Sequence, residues 1–285
     1  MGLLSEKAPG LELQVITVRT AGDRLPAEKR SETNGKGAFT QDIEALLMKG
    51  ELDLAVHSMK DLSMEFAQGL KIGATPPRGD PRDALVSPGG RKLSELPIGT
   101  SVGTSSIRRK VQLLNLRQDL RVVDMHGNVE TRIRKMDELG LGGMVLAAAG
   151  LDRLSMGERI SQRFSVEEVV PSAGQGAIAV QVRKGDREIE RLVSRINDEE
   201  TMGSSKCERA FARAIGGDCS VPVGAYASFS GRSFTLVGMI ASADGKTVLK
   251  RTATSTDPVG LGEVLGAELL RLGGTEFIRS SAIRA

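Results

Sequence analysis

The sequence predicts an α/β protein with two lobes, mostly parallel sheets and a smaller α+β domain at the C-terminus. Short apolar segments alternate with amphipathic helices over residues 82–170, which favours a parallel sheet covered on both faces. Clusters of proline and glycine at residues 75–83 and 171–176 bracket that stretch, as they would if one domain were inserted into another. Asp244-Gly245, between two apolar segments, indicates a β-hairpin near the end of the chain.

The composition is that of a folded protein in water. Of the 285 residues, 40% are hydrophobic and 26% are charged, and the net charge is +3. No apolar stretch reaches the roughly 18 residues of a membrane span, and the first residues lack the apolar core of a signal peptide. Two cysteines cannot build a disulfide framework, so we expect a cytoplasmic protein. The weak net charge argues against nucleic acid as a partner, and the spacing of cysteine and histidine matches no metal site.

The N-terminal part is expected to form a strand, a polar loop and a helix. Residues 11–19 have the apolar pattern of a strand. Residues 22–37 are polar and end in Asn-Gly-Lys-Gly, so Lys36 lies either on a loop that covers a ligand or on an ordinary surface loop. The helix that follows has an apolar face and ends at Gly50.

A polar segment from His57 to Asp61 follows residues 52–56, which we interpret as a buried strand. An imidazole, a hydroxyl, an ammonium and a carboxylate therefore stand together where a strand ends. Ligands of α/β proteins bind at such strand ends, because neighbouring loops converge there. The alternative is an ordinary turn with solvated polar residues. A further strand is expected at residues 70–74.

Two later turns combine helix-capping residues with arginines. The hydroxyl residues Thr104, Ser105 and Ser106 can cap a helix that carries Arg108 and Arg109, and Asn128 can cap one that carries Arg132. Helix N-termini and guanidinium groups both attract carboxylates; the alternative is capped helices with solvated arginines. The topology places these turns on one edge of the sheet. The strands expected in this stretch are residues 84–87, 98–102, 120–123 and 143–149.

The last third of the chain holds both cysteines. Cys207 is expected to be a small buried residue within a helix. Cys219 lies on a glycine-rich loop and is either a nucleophile activated by nearby cations or an inert thiol. Glu208, Arg209 and Arg213 are expected to be solvated. The elements expected here are a strand at 177–182, helices at 186–197 and 201–215, hairpin strands at 234–241 and 247–252, and a helix within 257–272.

Five motifs, taken together, resemble the porphobilinogen deaminase (hydroxymethylbilane synthase) family. They occur in the order and at the spacing of that family from about residue 10 to the end of the chain. The motifs are Ala-Val-His-Ser-Met-Lys-Asp at 55–61, Gly-Thr-Ser-Ser-Ile-Arg-Arg at 103–109, Gly-Asn-Val-Glu-Thr-Arg at 127–132, Gly-Gln-Gly-Ala at 174–177, and Gly-Asp-Cys-Ser-Val-Pro-Val-Gly at 217–224.

The resemblance implies two lobes like those of periplasmic binding proteins and a C-terminal domain that carries the cofactor. The implied domains are residues 1–76 with 177–198, residues 82–170, and residues 199–285. It also implies a reaction in which four porphobilinogen molecules condense head to tail into hydroxymethylbilane with loss of ammonia. Its cofactor is a dipyrromethane held by a thioether. The family suggests a monomer in tetrapyrrole biosynthesis that hands its product to uroporphyrinogen-III synthase.

The same resemblance assigns site residues. Asp61 matches the catalytic aspartate and Cys219 the residue that holds the dipyrromethane. Further residues match groups that bind the cofactor or the growing chain: Lys36, His57, Lys60, Ser106, Arg108, Arg109, Arg132 and Arg153. The chemistry agrees, because each pyrrole ring brings two carboxylates and a carboxylate such as Asp61 can assist the departing amine.

The chain departs from the family pattern in two places. The first strand and most of the first helix of the family would lie before residue 1, so we expect either a true start upstream of Met1 or an unstable or impaired form. In the second place, His126 stands where an arginine is usual. A histidine is charged only at lower pH, so we expect one weaker carboxylate contact. The alternative function is therefore a two-lobed anion-binding protein or a catalytically impaired relative.

Overall fold

The computed structural model describes residues 2–18, 40–216 and 221–282 of the chain. Its α-helices are α1 (Gly2–Lys7), α2 (Gln41–Lys49), α3 (Ile107–Leu116), α4 (Val129–Glu138), α5 (Ala148–Arg153), α6 (Arg187–Ser194), α7 (Glu199–Ile215), α8 (Pro258–Leu269) and α9 (Thr275–Ala282). Its strands are β1 (Leu54–Ser58), β2 (Leu70–Ala74), β3 (Asp83–Val86), β4 (Ser101–Gly103), β5 (Arg121–Val123), β6 (Gly143–Ala147), β7 (Gln162–Arg163), β8 (Ile178–Arg183), β9 (Val223–Ser230), β10 (Ser233–Ala241) and β11 (Val248–Ser255). None of the described helices is both long and apolar enough to cross a membrane.

The first sheet has three strands in the order β1–β8–β2, and β8 is antiparallel to both neighbours. Leu54 lies opposite Val182, and Leu70 lies opposite Arg183. Helix α6 packs on this sheet through Val193, which shares a buried cluster with Val182. Since β8 follows β2 only after the whole second sheet, this lobe is built from two separate pieces of the chain.

The second sheet has the order β5–β4–β6–β3–β7. At its centre β4 runs parallel to β5 and β6, whereas β3 is antiparallel to β6 and β7. Neighbouring residues of β3 belong to different buried hydrophobic clusters: Leu85 packs with Leu113 of α3, and Val86 packs with Ile133 of α4. Helices therefore cover both faces, which confirms the α/β class.

The predicted parallel arrangement holds at the centre of the second sheet only. In the first sheet β1 and β2 point the same way, but the strand between them is β8, which returns from the second sheet in the opposite direction. Alternation of strands and helices along the sequence cannot reveal the direction of such a returning strand, because that direction depends on where the chain re-enters.

The third sheet is antiparallel, in the order β11–β10–β9, and confirms the predicted hairpin. Helices α7 and α8 contribute to one buried cluster with this sheet, through Phe211, Leu236 and Leu265. A Cβ atom at Gly262 would lie 2.4 Å from the carbonyl oxygen of Cys207. Glycine at this position therefore lets α7 and α8 approach closely.

The two proline- and glycine-rich segments lie side by side where the chain crosses between the first and second sheets. The Gly79 amide donates a hydrogen bond to the Gly176 carbonyl oxygen at 3.1 Å. Gly176 has φ of +86°, and a Cβ atom there would lie 2.6 Å from the Gly79 carbonyl oxygen. Only glycine fits this contact without displacing the other segment.

Two predicted strands are corrected by the structure. Residues 11–18 form no strand, and Val15 and Ile16 are 65% and 52% exposed, since no described strand pairs with this segment. The strand predicted at residues 52–56 is displaced and lies at the sheet edge as β1, with Val56 62% exposed. His57 therefore belongs to β1 rather than to the loop after it.

Candidate functional site

Three helices begin at one edge of the second sheet, because β4, β5 and β6 are parallel and each leads into a helix. The Ser106 hydroxyl accepts a hydrogen bond from the Arg109 amide at 3.4 Å, at the start of α3. The Asn128 side chain accepts one from the Thr131 amide at 2.8 Å, at the start of α4. A cap among the hydroxyl residues before α3 and the cap Asn128 of α4 are both confirmed, and Arg109 and Arg132 lie in the first turns behind them.

A 3₁₀ turn, Met59–Asp61, follows β1 and presents Lys60 and Asp61. The Met59 amide donates to the Ala177 carbonyl oxygen at 3.0 Å, and the Met59 side chain is buried. Gly174 lies so close that a Cβ atom there would be 2.4 Å from Cγ of Met59. The buried methionine thus fixes the turn on the second crossing segment, while Asp61 stays exposed.

Arg108 and Arg109 both bind a buried carboxylate, Asp83, at the start of β3. An Arg108 amino group donates to Oδ2 of Asp83 at 2.7 Å, and Nε of Arg109 donates to Oδ1 at 2.8 Å. Gln175 adds a third donor to Oδ1 at 3.0 Å. Burial alone would raise the pKa of Asp83, but the two guanidinium groups hold it well below its usual range. The carboxylate is therefore ionised and locks both arginines in place.

The charges of Lys60, Asp61, Arg109 and Arg132 act on one another across the two sheets. Burial, and then the positive charge of Arg109, lower the pKa of Lys60 to about 8, against the opposing effect of Asp61. Burial and Arg109 also lower the pKa of Arg132, and Asp61 again opposes them. The carboxylate of Asp61 thus interacts electrostatically with Lys60 on its own turn and with two arginines on helices of the second lobe.

Part of this positive charge is free to meet a ligand. Nε of Arg132 donates to the Gly127 carbonyl oxygen at 2.7 Å, which holds the guanidinium at the start of α4. Within the described part of the chain, Lys60 and Asp61 make no side-chain hydrogen bond, and no carboxylate pairs with Arg132. A ligand with several carboxylates would find in Lys60 and Arg132 the partners that the protein itself does not supply.

The remaining predicted site residues lie elsewhere. Nε2 of His57 is 3.1 Å from Oε1 of Gln181, whose amide donates to Glu44, and burial lowers the pKa of His57. This network lies within the first lobe. Arg153 donates to the Gly176 carbonyl oxygen at 2.6 Å and so contacts the crossing segment. Lys36 and Cys219 lie outside the described residues.

Two carboxylates that organise the site region were missed by the sequence analysis. Asp83 was treated as part of a linker, and Glu208 was expected to be solvated, which is wrong because it is fully buried. Glu208 accepts hydrogen bonds from Arg78 at 2.6 Å, from the Gly174 amide at 2.6 Å and from the Ala227 amide at 2.8 Å. It therefore ties α7 to both crossing segments and to β9.

The expectation for Arg209 was also wrong, because this residue is buried, whereas Arg213 is exposed as expected. No signal near these residues in the sequence distinguishes them. Their partners are 130 residues away for Glu208 and Arg78, and 146 for Arg209 and Ser63.

Comparison with known proteins assigns the family. A profile described as "Porphobilinogen deaminase, dipyromethane cofactor binding domain" matches residues 2–191, and one described as "Porphobilinogen deaminase, C-terminal domain" matches residues 203–271. The chain belongs to the porphobilinogen deaminase family. It is 43% identical over 261 residues to the porphobilinogen deaminase of Syntrophotalea carbinolica, covering 92% of this chain and 82% of that protein. It is 44% identical over 277 residues to that of Moorella thermoacetica, covering 96% and 88%.

Solved structures show a weaker likeness. The BvgS VFT2 domain of Bordetella pertussis is 17% identical with a TM-score of 0.38, over 68% of this chain and 74% of that one. An arginine-specific periplasmic binding protein of Salmonella typhimurium is 15% identical with a TM-score of 0.31, over 56% and 71%. Likeness at this level carries no argument, and the fold rests on the sheets described above.

A dipyrromethane cofactor, which the family profile names, is the group that the described residues of the site would have to hold. The donor set consists of Lys60 and Arg132, cations without a carboxylate partner among the described residues, together with the charge of Arg109. Such a set suits a group that carries several carboxylates. No group of cysteine, histidine, aspartate and glutamate in the described chain could hold a metal ion.

Proposed function

We propose that this chain is a hydroxymethylbilane synthase, which condenses four porphobilinogen molecules head to tail and releases ammonia in tetrapyrrole biosynthesis. Membership of the porphobilinogen deaminase family supports the reaction. The observation that supports this site is the exposed carboxylate of Asp61 on a turn fixed by Met59, among the charges of Lys60, Arg109 and Arg132. A binding site for anions needs the cations, but it does not need a carboxylate in their midst.

The proposed domains are those implied by the sequence: residues 1–76 with 177–198, residues 82–170, and residues 199–285. The separate sheets and the paired crossings near Gly79 and Gly176 support this division. We also place the protein in the cytoplasm as a monomer whose product passes to uroporphyrinogen-III synthase.

Cofactor attachment is proposed at Cys219, through a thioether to dipyrromethane. When bound, the dipyrromethane supplies the covalent start of the pyrrole chain. Lys60 and Arg132 then bind carboxylates, because their positive charge has no partner within the described chain. Further contacts are proposed for Lys36, His57, Ser106 and Arg153.

Asp61 is the proposed catalytic residue. The aminomethyl group reacts in its protonated form: its carbon–nitrogen bond breaks and ammonia leaves with the bonding electron pair, so the positive charge passes from nitrogen to the substrate carbon. An ionised carboxylate stabilises that charge, and it also accepts a hydrogen bond from the departing amine or from a pyrrole N–H. Its exposure leaves Asp61 accessible to the substrate.

Arg108 and Arg109 have a different proposed role from the one that the sequence suggested. Contact of either with a substrate carboxylate stays a prediction. Both are buried against Asp83, and the charge of Arg109 reaches Lys60 and Arg132. Asp83 therefore acts as a positioning residue that keeps Arg109 at the site.

Asp61→Asn tests the role of Asp61, with Asp137→Asn on the exposed face of α4 as the matched control. We expect Asp61→Asn to lower turnover by about a hundredfold or more, since it removes the charge and keeps the shape, while the control stays unchanged. The proteins are produced in a host that makes porphobilinogen, and consumption of porphobilinogen is followed by steady-state kinetics.

Intact mass separates the two candidate functions. A two-ring adduct on the peptide that bears Cys219 is expected in the wild-type chain.

Two outcomes would contradict the proposal. If Asp61→Asn turned over porphobilinogen as fast as the wild-type chain, Asp61 would have no role in the mechanism. A wild-type chain without adduct and without porphobilinogen consumption would favour the anion-binding alternative.

A further inference from the structure

A separate cavity lies between the first sheet and helix α7, with a volume of about 340 Å³. Leu70 and Ile72 of β2 form one wall, and Ser205 and Arg209 of α7 belong to the other. Its size falls within the range of small-molecule sites, roughly 300–1,000 Å³. Of the turn that carries Asp61, only Met59 borders it.

The cavity is lined by an excess of positive charge. Lys71 is neutralised, because its Nζ atom lies 2.8 Å from a carboxylate oxygen of Glu190. Within the described chain, no carboxylate pairs with the other four lining cations, which are Lys184, Lys206, Arg209 and Arg213. Four positive charges on one concave surface attract an anion.

Arg209 is the most buried of these cations, at 6% exposure. It donates to the carbonyl oxygens of Leu62, Ser63 and Met64 at 3.3, 2.6 and 3.1 Å, and its guanidinium lies 5.2 Å from the ring centroid of Phe66. Carbonyl oxygens satisfy its hydrogen bonds but do not cancel its charge. Burial, and then the nearby Arg213, lower the pKa of Arg209 to about 10, which is the response of a cation that lacks an anion.

Ser205 supplies an independent observation. Its side chain is 1% exposed and borders the cavity, and its Oγ atom has no hydrogen-bond partner among the described residues. A serine in a helix can bond to the carbonyl oxygen one turn earlier, but Ser205 does not. A buried hydroxyl without a partner destabilises the fold. Because the Oγ atom is itself closed to water, a ligand oxygen in the cavity bonds it once the Ser205 side chain turns to a rotamer that faces the cavity.

The remaining lining is apolar, which decides the kind of anion. Met59, Phe66, Leu70 and Ile72 all face the cavity. An inorganic ion would leave this surface bare, whereas an organic anion would cover it and place its charged group at the cations.

We propose that this cavity binds a small aromatic carboxylate, with its carboxylate group at Lys206, Arg209 and Ser205 and its ring over Met59 and Phe66. The proposal goes beyond the proposed function, since none of Lys60, Asp61 and Arg132 lines the cavity. Binding measurements alone test the proposal, and turnover does not have to be measured.

Isothermal titration calorimetry with 1-naphthoate tests the proposal on the full chain. Lys206→Glu is compared with Lys246→Glu, which makes the same charge change on the exposed hairpin. We expect Lys206→Glu to weaken naphthoate binding by about fivefold or more, and Lys246→Glu to leave it unchanged. Ser205→Ala should weaken binding by about threefold while its thermal midpoint stays equal or rises, because a hydroxyl without a partner is removed.

Arg132→Ala separates this cavity from the site at Asp61, and we expect it to leave naphthoate affinity unchanged. Affinity that falls in Arg132→Ala and is retained in Lys206→Glu would place the anion at the other site and overturn the proposal. Equal binding of the neutral analogue 1-naphthylmethanol, equal binding of sulfate, or no saturable naphthoate binding would overturn it as well.

Discussion

Buried arginines occur in two regions of this molecule with opposite partners. At the start of α3, Arg108 and Arg109 share the buried carboxylate of Asp83. On α7, Arg209 is just as buried, but within the described chain its partners are the backbone carbonyls of residues 62–64 and the ring of Phe66, none of which carries a charge. Removing a guanidinium from water is unfavourable in both regions, yet only Asp83 returns an opposite charge.

The two regions differ in whether the charge of the buried arginine is compensated. The carboxylate of Asp83 fixes two arginines and offsets part of their charge. The carbonyls around Arg209 fix its position and leave its full positive charge beside a cavity. Burial of an arginine therefore says little about its role until its partners are known.

Asp83→Asn should have the largest effect, because it leaves two buried guanidinium groups without their counter-charge. We expect the free energy of unfolding to fall by about 3–5 kcal/mol, measured by urea denaturation. Asp137→Asn, an exposed change of the same chemistry, should leave it within experimental error. Equal values for the two variants would show that Asp83 does not hold these arginines.

Arg209→Met should lower the free energy of unfolding by less, about 1–2 kcal/mol. It removes hydrogen bonds to carbonyl oxygens but leaves no charge unpaired. Arg213→Met, one turn later on the exposed face, is the matched control because its single bond to the Met64 carbonyl is long, at 3.3 Å. Amide hydrogen exchange should accelerate at residues 62–66 in Arg209→Met only. A loss as large as that of Asp83→Asn would contradict the comparison.

The smallest effect concerns Lys60, whose pKa is lowered to about 8 by burial and by Arg109. As pH rises through about 8, Lys60 loses the charge that binds substrate carboxylates, so kcat/KM for porphobilinogen should fall. Lys60→Arg keeps its charge and should abolish this fall. A decline of the same size in both proteins would assign it to another group.

Stability should respond to Lys60 in the opposite direction. The unfolded chain keeps the proton up to the ordinary pKa of 10.5, whereas the folded chain loses it near 8. Between these values the unfolded state holds more protons, so the contribution of Lys60 to stability rises with pH. Lys60→Met should remove this rise.

Local features of the fold were predictable from the sequence because their causes are local. The caps Ser106 and Asn128 stand directly before their helices, and Gly50 ends α2 in a left-handed conformation with φ of +76°. The hairpin followed from Asp244-Gly245. Convergence of Arg109 and Arg132 on one edge followed from the parallel strands at the centre of the second sheet.

Features that depend on distant partners could not be predicted. Asp83 and Arg109 are 26 residues apart, and Glu208 and Arg78 are 130 apart. Nothing in the residues around Glu208 shows that its face of α7 meets both crossing segments. The exposure of Val56 followed from the position of β1 at the sheet edge, which depends on where β8 re-enters.

The contact between Gly79 and Gly176 has a consequence for how such a chain can change over generations. The segments through which the chain enters and leaves the second sheet are joined by hydrogen bonds, from the Gly79 amide to the Gly176 carbonyl oxygen and from the Gln175 side chain to the Pro81 carbonyl oxygen. A unit whose two ends meet in this way can be exchanged, lengthened or shortened without moving the ends of the sheet that receives it. The second lobe is thus a unit that evolution can replace as a whole, and the contact between the two glycines lies at its junction with the first lobe.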